Sequence, residues 1–513
     1  MRGAMDPLKL SVPEQHNYMD PTVERDVDRL HNWLTNLPLM DVVETVRLVH
    51  GALDALNEQK LPVKQRFHYL EEYRATAQRL FVTVDPLHLR QLALSKQQRQ
   101  EAIDGVEGLF LSMAGGYKLI VVELYQASGE GTPDPLFGHA INRALEQLGY
   151  ALLDSYRFYR AVQPQLIAES HQLYRLARHQ GLLSCCVDED DEYAPAASIS
   201  MLYHTSMLLA LTDPFRLAEG EVSLLFDVLM QHVASCRIIP GNSWTGSGEG
   251  LFLVELGSDR FPIPCNTLQP PVKASDPYLL DATAVLSAVR ERLAKTPAKV
   301  RMQSPEAMVL RRLLPEAQGI DKRREQRHAD SRWVKLLLGV SDIHQHLVRA
   351  ASKEPERSAG EQSAETITCR VLDSSEKGIK LAWDGCGAGD ARVGDLLGIM
   401  EQQGGRASLT LAMIRSIRVF REGGMEAGIQ LLPGGLGPVT CHLTEQPDKV
   451  GVRALFMPAN EADQFTATLV AGKGLYEEGR RLLIDVGGRE VKARAGRRVL
   501  DSPVFDRFEF SAE

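Results

Sequence analysis

The 513-residue chain has no run of roughly 18 apolar residues of the kind a membrane span needs. Its best candidate, residues 198–211, is interrupted by Tyr203, His204, Thr205 and Ser206. The N-terminal stretch MRGAMDPLKLSVPEQ also lacks the continuous apolar core of a secretory signal, so a cytoplasmic protein without a membrane span is expected. A basic excess is missing too. Lys and Arg number 58 against 67 Asp and Glu, a net charge of −9, which argues against a dedicated nucleic-acid binder and leaves room only for a local basic site. Seven cysteines (185, 186, 236, 265, 369, 386 and 441) form no CxxC pair and do not cluster with histidines. An odd, scattered set fits reduced thiols better than a disulfide framework, and adjacent Cys185 and Cys186 read as small buried hydrophobes.

Catalytic patterns are equally scarce. No Ser-His-Asp set, carboxylate pair or metalloprotease motif stands out, so no enzyme is expected. GSGEG (246–250) has no Lys-Ser/Thr after it, and AGKG (471–474) lacks the earlier glycine and the following hydroxyl of a phosphate loop. His344 and His346 form an HxH on an expected strand. Without a third ligand a structural role is the better reading, and no metal is expected. No fixed-period repeat is present.

What is present is a globular composition, 44% hydrophobic and 24% charged, in a chain long enough for two to four domains. The first half reads as helical. Val27, Leu30, Leu34 and Leu37 follow helical spacing, as do Val42, Val46, Val49, Leu53 and Leu56 after Asp41, and Pro62 opens a third helix. The same periodicity continues near 92–128, 137–180, 196–211 and 219–235, broken by the acidic loop 188–192. Glycine and asparagine turns around LFLVEL give a β-hairpin within 236–264, and two further helices are expected over 276–296 and 304–317.

From about residue 330 short strands dominate: 333–340, 368–372, 378–383, 395–400, 409–417 and 427–432, then a second β-rich stretch over 441–513. The fold class expected is a multidomain α + β chain. A flexible N-terminus (1–20) precedes a helical domain (21–317), a small β-barrel (318–440) that folds by itself, and a second small β-domain (441–513). The polar loop 351–365 reads as an expendable, protease-sensitive excursion.

Two motifs carry chemistry. DKRREQRHADSRW (321–333) sets Arg323 and Arg327 four residues apart beside Lys322 and Arg324, which a solvated linker also explains. A guanidinium nevertheless chelates phosphate bidentately and stacks on a base. LDSSEKGIKLAW (372–383) places Asp373, Ser375 and Gly378 in a turn before a strand, where turn chemistry alone would account for them. Both motifs together, RxxxR then DxSxxG on a β-rich segment closing with IRSIRVF…MEAGIQLL (414–432), resemble the PilZ domain, the bacterial cyclic di-GMP receptor module. The resemblance covers roughly 322–435, with a longer gap than usual between Arg327 and Asp373.

The resemblance implies that Arg323 and Arg327 wrap the ligand's phosphates and meet guanine. Asp373 and Ser375 then meet the guanine edges, Gly378 lets the backbone pass close, and Lys322 and Arg324 stand in support. It implies a non-enzymatic effector for cyclic di-GMP, with no other cofactor, in control of motility, pili or biofilm. On this reading an unidentified protein partner would bind the helical domain, and a hinge around 318–332 would couple the two. The alternative is an adaptor whose PilZ-like barrel binds no nucleotide.

Overall fold

The computed structural model describes residues 8–17, 20–21, 23–127, 134–187, 196–241, 248–268, 277–297, 304–314, 327–352, 366–383, 391–403, 406–445, 450–459 and 466–513. They separate into two compact units, one before and one after the segment 315–326, with Phe215–Ala218 grouped with the second.

The first unit opens with a series of helices: α1 (Val27–Thr35), α2 (Val42–Asn57), α3 (Val63–Thr83), α4 (Pro86–Gln91), α5 (Lys96–Ala127), α6 (Pro135–Arg157), α7 (Pro164–Gln180), α8 (Ile199–Leu211) and α9 (Glu221–His232). Asp26, Asp41, Asp85, Asp134 and Ser198 cap their helices by accepting backbone N–H groups of the first turn. The apolar periodicity over 137–180 resolves into α6 and α7, because Pro164 has no N–H with which to continue a helix and instead starts one. Helix α5 is the core of the unit, packed by α2, α3 and α6. Gly105 and Gly108 let α2 approach it closely, since a Cβ there would run into Val46 and His50. Helix α5 also corrects the hydropathy reading: by length and composition it could cross a membrane, with mean hydropathy 1.3 over its most apolar window, 72% of which is buried inside the protein.

After α9 the chain forms a small sheet of β1 (Arg237–Pro240), β2 (Leu251–Glu255), β3 (Ile263–Pro264) and β4 (Pro277–Asp281), ordered β1-β4-β2-β3, followed by α10 (Thr283–Lys295) and α11 (Pro305–Leu313). The helix expected over 276–296 is thus a strand in its first turn and a half. Pairing of β4 with both β1 and β2 settles a short apolar run that periodicity leaves ambiguous. The expected flexible N-terminus is also corrected. Residues 8–17 are hydrogen-bonded onto the bundle through Lys9, Ser11, Gln15 and His16.

One buried acid gives this unit a pH dependence. Asp154 on α6 is wholly buried, with Arg157 at 3.4 Å and no hydrogen-bond partner for Oδ2 among the described residues. Burial raises its carboxyl from 3.8 to about 7, with Glu107 and Asp85 reinforcing and Arg157 and Arg160 opposing. The folded chain keeps a proton that the unfolded chain has already released, so stability falls as pH rises from about 4 to about 7. Asp154→Asn is expected to raise the thermal midpoint at about pH 8 and to leave it nearly unchanged at about pH 4. Melting curves at the two values check this.

In the second unit, β5 (His328–Ala329) and β6 (Trp333–Leu338) run in succession along one edge of β7 (Ile367–Ser374). Strands β8 (Gly378–Trp383), β9 (Leu396–Gln403), β10 (Arg406–Val419) and β11 (Met425–Leu432) complete a ring in the order β7-β6-β9-β10-β11-β8, closed by pairing of β7 with β8. The strand expected over 333–340 ends at Leu338. Gly339, at φ +83°, turns the chain into α12 (Gly339–Ser352). Residues 353–365, most of the expected polar loop, lie outside the described residues.

A second closed barrel follows, of β12 (Gly437–Leu443), β13 (Val452–Met457), β14 (Thr468–Gly472), β15 (Arg481–Val486), β16 (Arg489–Asp501) and β17 (Phe505–Ala512), ordered β12-β13-β14-β17-β16-β15. Val439, Cys441, Leu469, Leu482 and Phe508 fill it. The boundary expected at 440/441 cuts through β12. Nor are the two barrel cores separate. Leu337, Ile343, Leu396, Leu411, Met413 and Leu432 of the first form one buried cluster with Leu455, Met457, Val470 and Phe505 of the second, and α12 packs on strands of both.

Candidate functional site

Three local features bring the two motifs together. First, the chain from 328 onward is laid along β7: His328 and Ala329 stand opposite Ser374 and Asp373, Asp330 N–H donates to Leu372 O at 3.1 Å, and Val371 N–H donates to Arg332 O at 2.9 Å. Second, β7 carries a bulge between Val371 and Asp373, which sets Asp373 opposite Lys380, whose neighbours Ile379 and Leu381 are buried. A bulge re-aims a side chain in this way. Third, Ser375 closes the turn into β8 through its backbone N–H and its hydroxyl, which donate to Gly378 O at 2.7 and 3.1 Å.

The outcome is a contact between residues 46 apart: Arg327 Nη1 donates to Asp373 Oδ1, and both side chains remain about a third exposed. The Arg327 guanidinium also lies over Gly378, with Nη2 3.8 Å from where a Cβ would stand. Arg327, Asp373, Ser375 and Gly378 therefore share one rim of the barrel. Lys322, Arg323 and Arg324 lie outside the described residues. Lys380 pairs with Glu426 at 2.6 Å, and among the described residues Arg327 is the cation paired with Asp373.

Two of these residues also serve the fold. Gly378 is buried in β8, and a Cβ there would approach Ile429 O to 2.8 Å, so β11 requires glycine whether or not a ligand is near. Ser375 is engaged in its turn through both its hydroxyl and its backbone N–H. The expected hinge around 318–332 is likewise corrected over residues 327–332, which are bound into the sheet.

Sequence reasoning missed the anchor of that segment. Asp330 accepts from Arg332 N–H at 3.1 Å and from its guanidinium at 2.6 Å, while Arg332 reaches Glu401 at 3.3 Å. Burial would raise the Asp330 carboxyl, but hydrogen bonds from Arg332 N–H and Ser374, with the Arg332 charge, hold it below its ordinary value. An Asp two residues before an N–H it can accept, as in ADSR (329–332), was the available signal.

His344 and His346 lie on α12 rather than on a strand, and residues two apart on a helix point in different directions. His344 is buried, which with the charge of Arg453 lowers its pKa against a hydrogen bond to the Val439 backbone. Among the described residues no three His, Cys, Asp or Glu side chains are placed to hold a metal ion.

Comparison with known families follows the same order of domains. A model described as the N-terminal domain of the cyclic-di-GMP receptor FimW matches residues 28–241, and one described as the middle PilZ domain of that receptor matches 347–435. The middle barrel is a PilZ domain. A third model, the FimW C-terminal beta-barrel domain, matches 440–512. The PilZ match begins within α12, so β5, β6 and Arg327 precede it. A Pseudomonas aeruginosa protein named cyclic-di-GMP receptor FimW is 25% identical to the chain, aligned over 99% of it and 93% of the relative. Among solved structures, Borreliella burgdorferi PlzA in complex with c-di-GMP is matched over 38% of this chain and 89% of that one, at 6% identity and a TM-score of 0.14, too slight a likeness to argue from.

Proposed function

We propose that the chain is a cyclic di-GMP effector that binds the nucleotide on the rim of its PilZ barrel and passes the event to a partner-binding helical domain. The observation that carries this reading is the meeting of Arg327 with Asp373, which joins the two motif halves at one place. The pair is a pre-set clamp. One carboxylate oxygen holds the guanidinium, whose remaining N–H groups are free in number and geometry to grip a phosphate, and the second oxygen accepts from a guanine edge. The Ser375 hydroxyl, its proton given to Gly378 O, offers only lone pairs, which suits the donor N–H groups of guanine. Arg323 would complete the grip on phosphate, with Lys322 and Arg324 adding positive charge.

The full-length relative named as a receptor for this nucleotide supports binding as the role, in place of catalysis. Pilus, motility or biofilm control is the proposed output. Calorimetric titration of the intact chain with cyclic di-GMP tests the reading. Saturable heat at micromolar ligand is expected, and its absence would make the barrel a non-binding scaffold in an adaptor protein.

A further inference from the structure

Trp333 opens β6 on the outside of the PilZ barrel and is 66% exposed. A single exposed apolar side chain means little by itself. Its surroundings single it out. In the pairing of β6 with β7 it stands directly opposite Arg370, which is also exposed. Arg370 in turn opposes Ala382 on β8, and Asp373 opposes Lys380, while Val371 and Leu381 between them are buried. Because side chains alternate along a strand, Trp333, Arg370 and Asp373 lie on one outer face of the barrel. Strand spacing puts Arg370 about 7 Å along β7 from Asp373, and Trp333 about 5 Å across from Arg370.

Charge distinguishes the pair further. Arg327 holds Asp373, Arg332 holds Asp330 and Glu401, and Lys380 holds Glu426. Arg370 has no such acid. Among the described residues, neither it nor Trp333 makes a side-chain hydrogen bond, ion pair or ring contact.

We propose that Trp333 and Arg370 form a second subsite for cyclic di-GMP, in which the Trp333 ring stacks on one guanine and the Arg370 guanidinium takes a bridging phosphate. Arg327 and Asp373 hold the other guanine and phosphate. The inference rests on the nucleotide-binding reading above. The ligand repeats itself, two guanines joined through two phosphates. A site that grips one end therefore leaves a base face and an anionic charge to be met at the other. An indole offers a broad π surface, and a base stacks on it without needing a hydrogen bond. A guanidinium with no acid partner has its N–H donors available to phosphate. Arg370 stands between Asp373 and Trp333, as the phosphates of the ligand stand between its bases.

Calorimetric titration of the intact chain with cyclic di-GMP, with tryptophan emission read in parallel, tests the subsite. Trp333→Ala is expected to weaken binding by about 5- to 150-fold, the range for removing the partner of one stacked base. Trp333→Phe should keep most of the affinity, because a ring face remains. Nucleotide should quench the emission of the intact chain more than that of Trp333→Phe. Arg370→Ala should weaken binding by about tenfold or more, as loss of a charge-assisted phosphate contact does. Lys335→Ala, which removes the same charge from another exposed position of β6, should leave binding unchanged. All three side chains are exposed, so the thermal midpoint without ligand should hardly move and each variant is read as a folded protein. If Arg327→Ala weakens binding while Trp333→Ala and Arg370→Ala bind like the intact chain, the subsite is wrong and the nucleotide reading stands. Equal weakening by Arg370→Ala and Lys335→Ala assigns the effect to general charge and overturns the subsite as well. No saturable binding by the intact chain removes the nucleotide reading, and the subsite with it.

Discussion

Arg327→Ala is expected to weaken cyclic di-GMP binding by about 30- to 1000-fold, corresponding to roughly 2–4 kcal/mol for loss of a charge-assisted phosphate contact. Thermal stability without ligand should barely change. The pair with Asp373 is a third exposed, and surface pairs of that kind contribute at most about 1 kcal/mol. Asp373→Ala should cost less affinity, because it deletes a guanine-edge acceptor while freeing the Arg327 guanidinium. Arg332→Ala is the comparison that decides. It removes the same charge from the same segment, but Arg332 is committed to Asp330 and Glu401 on the barrel. A small loss of thermal stability with nearly unchanged affinity is expected there. If titration shows both arginine variants equally weakened, general electrostatics accounts for binding and the clamp does not. Ser374→Ala is a second control, with a hydroxyl spent on Asp330.

The second large effect concerns the barrels. A fragment of residues 318–440 is expected to aggregate or to melt without cooperativity, whereas 318–513 should fold. The shorter piece ends within β12 and exposes Leu337, Ile343, Leu396 and Met413, which the second barrel covers with Leu455, Met457 and Phe505. Phe505→Ala in the intact chain removes the largest shared side chain and should cost about 3–5 kcal/mol, as truncations of buried aromatics do. Because the cluster is common, hydrogen exchange should rise in β9 and β10 as well as in β13 and β14. Exchange confined to the second barrel, or a monomeric 318–440 fragment with a sharp transition, would show the two cores to be independent.

Much of the fold was legible because many of its instructions are local. Asp41 before an apolar stripe starts α2, and the β-rich stretch expected over 441–513 holds strands such as β14, β15 and β17, since capping and alternation act within a few residues. Elements that failed were those whose state depends on a distant partner. Residues 277–281 became a strand because β1 and β2 flank them, and 339–352 became a helix on two barrels where strand character had been extended through Gly339. In the site, Asp373 and Arg327 were readable as residue types in a motif. Asp330 and Arg332 were not, because their value lies in holding 327–332 against β7.

By itself, the order of amino acids determined the helical first half, the β-rich second half and the two motifs on the first barrel. Side-chain period, caps and turn residues are properties of neighbouring positions. Only the tertiary structure decided that Arg327 meets Asp373, that Gly378 belongs to β11's close approach, that the barrels share one core and that residues 8–17 are hydrogen-bonded onto the helical bundle. Each of these is a contact between distant segments, and its energy comes from burial and desolvation that exist only once the chain has closed.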